Sequence, residues 1–184
     1  MPIYHSLSPY SKRLMSAKMA KTHLRRPNTV EFGFSWAGVA FLAMLFVPNI
    51  LWARNQPPGY RELACSESGA LAILERIGEV AACVTVLIFT SPCGYEMPWF
   101  IWAVAALILM LLYEVAWARY FKTREVAAMY QPLGPIPVPL ATLPVAALLL
   151  LGVWQLSPYT VAAAVILGIG HIGIHLAHRR QLQR

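Results

Sequence analysis

Residues 34–53, 69–90, 98–119, 139–155 and 158–178 are apolar stretches separated by short polar interruptions. About 20 apolar residues is the length a helix needs to cross the hydrocarbon core, and in lipid a backbone must satisfy its own hydrogen bonds. The fold expected is an all-α, polytopic integral membrane bundle of five transmembrane helices. With 58% hydrophobic residues and a mean hydropathy of +0.55, the 184-residue chain is too apolar for an ordinary soluble domain. It divides into a basic N-terminal tail over 1–33, a five-helix domain over 34–178 and a basic C-terminal tail over 179–184.

Folding such segments back and forth gathers their polar residues at one face. Asn49, Glu75, Glu79, Glu114, His171 and His175 all fall near the span ends that adjoin the 54–68 loop, the 120–138 loop or the C-terminal tail. The only acids are eight glutamates, and charge within lipid is rare unless paired or facing a cavity. These six residues are therefore the expected lining of a ligand site.

Each segment adds detail. Pro48 frees a backbone carbonyl in the first span, and Asn49 can replace the lost donor; packing around a kink is the simpler alternative. In the second, Glu75 and Glu79 share a face while Arg76 points about 100° away from Glu75. Two ionised carboxylates on a buried face repel, so one is protonated or both meet a cation, a basic group or water. Alternatively, Arg76 snorkels and the glutamates only join helices. The third span carries aromatic belts, Trp99, Phe100 and Trp102 at one end and Tyr113, Trp117, Tyr120 and Phe121 at the other.

The prolines at 132, 135, 137 and 139 suppress helix in the loop before the fourth span. That loop is either a rigid connection or a wall of the site. In the last span Ala164, Gly168, His171, His175 and His178 form one stripe, with Gly170, Gly173 and Ala177 as a small-residue stripe beside it, suited to close packing. Next to Arg179 and Arg180, His178 is expected at the headgroups.

Histidines at i and i+4 can share a metal, so His171, His175, Glu75 and Glu79 are the candidate ligands, and a divalent transition metal the candidate cofactor. The same groups can relay protons. HIGIH lacks the glutamate of a metallohydrolase helix, haem ligation lacks histidines on opposing faces, and no nucleophile or phosphate-binding motif occurs. Cys65, Cys83 and Cys93 imply no disulfide framework.

The formal charge of +7 suits anionic headgroups better than nucleic acid. The basic residues of the N-terminal tail fit a surface-lying segment, a transit peptide or an overextended start at Met15 or Met19. Arg54, Arg61, Arg119, Lys122, Arg124, Arg179, Arg180 and Arg184 fall on one side, which places those loops and the C-terminus in the cytoplasm, although the basic N-terminal tail argues the reverse.

The segments PNILWARNQPPGY, LAILERIGE, LYEVAWARYF and GIGHIGIHLAH resemble a family of small bacterial membrane proteins with no assigned activity. The resemblance covers about Trp36 to His178 and implies five helices in a bacterial inner membrane. The function expected is a Glu/His-lined pocket near one membrane face that binds or passes a small cation, proton or polar ligand. A small membrane-embedded, metal-dependent enzyme is one alternative. An accessory subunit of a membrane complex, or a homo-oligomer, is the other.

Overall fold

Polar punctuation between the apolar stretches sets the helix ends. Ser35 accepts a hydrogen bond from Gly38 N and starts helix α1, Trp36–Arg54. A short helix α2, Tyr60–Ala64, leads to α3, Gly69–Ile88. Then come α4, Ile101–Thr123, the one-turn α5, Val126–Met129, and α6, Pro139–Trp154. The last helix, α7, Pro158–Leu182, starts on Ser157, whose hydroxyl accepts from Thr160 N, with Pro158 in the first turn. Strands β1, Glu31–Phe32, and β2, Phe89–Thr90, pair antiparallel with Phe32 opposite Phe89. The computed structural model describes residues 8, 30–64 and 67–184. The expectations for most of the N-terminal tail, and for Cys65, lie outside the described residues.

The architecture is all-α apart from that two-residue pair. Three helices, Trp36–Arg54, Ile101–Thr123 and Pro158–Leu182, are long and apolar enough to cross a membrane. The other two expected spans differ for physical reasons. Helix α3 has the length but carries Glu75, Arg76 and Glu79, and α6, at 16 residues, is shorter than the roughly 20 needed to cross unaided.

Helices α3 and α7 pack most extensively against each other, α4 packs on α6, and α6 on α7; α1 touches α3 and α4 lightly. A Cβ at Gly78 would lie 2.3 Å from Leu167 N, and one at Gly170 2.3 Å from Glu75 N. No side chain fits at either, so α3 and α7 meet backbone to backbone there.

One end of the bundle is sealed by a polar knot. Fully buried Gln155 donates through Nε2 to Phe89 O at 2.6 Å and Val86 O at 3.1 Å, and its Oε1 accepts from Thr160 Oγ1 at 3.3 Å. These bonds tie the α6–α7 turn to the end of α3. The opposite end, where α1 and α4 finish and α3 and α6 begin, holds the polar residues of the spans.

The second aromatic belt is an inward feature. Tyr113, Trp117 and Tyr120 are buried and join the core. Tyr113 stacks edge-on against Trp117, and Trp117 in turn against Tyr120.

Candidate functional site

The close approach at Gly170 brings the next residue, His171, against Glu75. His171 presents Nδ1 to Glu75 Oε1, with the carboxylate as acceptor, and both side chains are about three-quarters buried. The His171 ring lies 4.6 Å, centroid to centroid, from that of His175. His175 Nδ1 is shielded from solvent and has no hydrogen-bond partner among the described residues.

One turn on, the stripe continues into His178, which is only 1% exposed. This corrects the expected headgroup position: the helix runs on to Leu182, and short helices α2 and α5 fold over the histidine. Its Nδ1 is 2.9 Å from the Tyr130 hydroxyl, so a neutral ring protonated on Nε2 accepts there. Its Nε2 is 3.3 Å from Glu67 Oε1, an ion-pair distance that falls outside hydrogen-bond geometry. Tyr60 and Tyr130 both meet the ring edge-on. Two carboxylate–imidazole pairs, Glu75–His171 and Glu67–His178, thus flank His175.

The surroundings raise the pKa of the loop groups. Burial, then the charges of Glu67 and Glu75, push the Tyr60 phenol up to about 12. Tyr130 is raised by burial and then by Tyr60 and Glu67, and Glu67 by burial and then by Glu75. Both phenols therefore remain protonated donors.

A cavity of about 300 Å³ opens beside these pairs. Helix α1 lines it with Asn49 and Trp52, α2 with Tyr60, and α3 with Glu75 and Glu79. The loop before α3 adds Glu67, α4 gives Tyr113 and Trp117, and α5 gives Met129. Helix α6 contributes Pro144 and Leu148, and α7 His171 and His175. The proline-rich loop forms a tight turn, Leu133 pairing with Ile136 around Gly134 at φ +57°, while Met129 before it and Leu140 and Pro144 after it reach the cavity.

The candidate residues are thus placed as follows. Asn49, Glu75, Glu79, His171 and His175 share the cavity; Glu114 does not. Its Oε1 is buried without a partner among the described residues, and the neighbouring Tyr113 faces the cavity instead. Asn49 Nδ2 lies 2.7 Å from both Leu45 O and the Tyr113 hydroxyl, so it bonds the carbonyl of Leu45, one residue on from the Met44 carbonyl that Pro48 frees, and bridges α1 to α4. Glu79 is held by Arg76 Nη1 at 3.0 Å at the exposed edge.

Among the described residues no group of three or more His, Cys, Asp or Glu is gathered to hold a metal ion. The set His171, His175, Glu75 and Glu79 does not fit one: Glu79 turns to Arg76, and Glu75 is used by His171 Nδ1. Tyr60, Glu67, Tyr130 and His178 were missed as site residues. The seven-residue step from His171 to His178 did carry a signal, since it keeps both on one helical stripe. Comparison with protein-family models, with curated proteins and with solved structures gave no match.

Proposed function

We propose that this chain is a five-span bacterial inner-membrane protein whose Glu/His-lined cavity binds a small cation or polar ligand entering from one membrane face. In this reading α3 and α6 cross with the three longer helices, α3 through its pairing with α7 and α6 under cover of α4 and α7. The face bearing α2, α5 and the C-terminus is cytoplasmic, following the basic residues of its loops. The resemblance to five-span bacterial proteins belongs to the same reading.

The observation that carries it is the charge of the wall. Glu67, Glu75 and Glu79 line the cavity and no lysine or arginine does. Such a wall attracts cations and repels anions, more strongly than in water because its dielectric is low. The Gln155 knot at the far end supports a blind pocket over a through-pore.

Leu148 provides the test, because it is 1% exposed yet lines the cavity. In a background with Cys65, Cys83 and Cys93 changed to serine, Leu148→Cys is treated with methanethiosulfonates of opposite charge. The trimethylammonium-ethyl reagent should react about ten times or more faster than the sulfonato-ethyl one, the lower range of electrostatic steering. No reaction with either reagent, or equal rates, would refute the pocket.

A further inference from the structure

We infer that the ligand is an organic ammonium ion, a small amine or quaternary amine with a short polar arm, held by the carboxylates and ring faces of the cavity. This rests on the cavity reading above and specifies the ligand class. The wall holds Glu67, Glu75 and Glu79 and no lysine or arginine, Arg76 meeting only Glu79 at the exposed edge, so the balance of charge calls for a positive ligand. An inorganic divalent ion fits poorly, since it is held by several converging oxygen or nitrogen donors, and no such group occurs among the described residues.

The remaining wall supplies what an ammonium ion uses. Trp52, Tyr60 and Trp117 line the same space, and ring faces attract ammonium groups, tryptophan most strongly. Trp52 and Tyr60 are locked edge to face with centroids 4.7 Å apart, so this part of the wall is preformed. At about 300 Å³ the cavity takes such a headgroup with a few further atoms. His175, which lines the cavity, has an Nδ1 without a partner among the described residues and can offer the arm a hydrogen bond. The groups orienting the ligand come from α1, α2, α3, α4, α7 and the loop before α3, so the site exists only in the assembled bundle.

The same chemistry is carried by a free amino alcohol and by the headgroup of an aminophospholipid. In maltoside detergent without lipid, choline is tested for protection of Leu148→Cys against the cationic methanethiosulfonate, beside its neutral carbon isostere 3,3-dimethylbutan-1-ol and beside Mg²⁺. Choline should protect, with the isostere weaker by about tenfold or more and Mg²⁺ without effect, as a desolvated cation–π contact plus a carboxylate implies. Trp52→Leu should weaken protection by about tenfold and Trp52→Phe by less, because the ring face is retained. Nanodiscs of phosphatidylglycerol, with and without phosphatidylethanolamine, separate the sources. Protection by the second lipid assigns the headgroup, and its failure alongside protection by choline assigns a free amine. Protection by Mg²⁺ alone, equal protection by the isostere, or none by choline while the reagent still enters would overturn the ammonium assignment and leave the cavity reading intact. Failure of the reagent to enter at all would remove both.

Discussion

Glu67 stands between Glu75, which opposes its charge, and His178 Nε2 at 3.3 Å. Burial, and secondarily Glu75, raises its folded-state pKa above the ordinary 4.5. The sign follows: the stability tied to its protonated form is complete below pH 4.5 and is lost as pH rises through the raised value. Glu67→Gln, which cannot ionise, should therefore gain on the wild type in detergent melting temperature as pH climbs from 4.5, then hold a constant advantage. An advantage that shrinks over that window would contradict the assignment. His178 gives a second expectation. Replacing it with Gln removes a buried partner of Tyr130 and should cost about 1–3 kcal/mol, read as a lower melting temperature in detergent. A change within the noise would return His178 to the headgroups.

Between elements, the decisive contact is α3 against α7. Gly170→Val would drive branched carbons into the Glu75 backbone, 2.3 Å from the position of a single Cβ. Overpacking of this kind costs about 1–3 kcal/mol or more, and it should also part Glu75 from His171. Gly59→Ala, where nothing lies within 4 Å of an added Cβ but φ is +83°, serves as a comparison with local strain only. Equal melting temperatures for Gly170→Val and wild type would show that the helices are not so close. The five helical segments were readable because length and hydropathy alone define them: α6 and α7 begin at Pro139 and Pro158, where the apolar stretches begin, while α7 runs past 178 to Leu182. The stripe of α7 was readable from its 4-and-3 spacing. The partners supplied by irregular segments were not. Tyr60, Glu67 and Tyr130 owe their place to how α2 and α5 fold back over α7, which no local period encodes. Glu114 failed for a related reason: one step of about 100° separates it from Tyr113, and depth in the membrane does not say which of two neighbours turns inward.

For the whole molecule, orientation and access belong together. The proposed orientation puts the loop holding Cys93 outside the cell, so an impermeant thiol reagent should label it on intact cells, and protection until lysis would reverse the topology. In the proposed function the face carrying α2, α5 and the three glutamates is the one through which a ligand arrives. The sharpest measurement is the charge preference of Leu148→Cys labelling with and without Glu75→Gln. If Glu75 helps to set the potential of a water-accessible pocket, the ratio of cationic to anionic reaction rates should fall by about threefold or more in the Gln variant, while a neutral methanethiosulfonate reacts at the same rate in both. A ratio unchanged by Glu75→Gln would contradict the account.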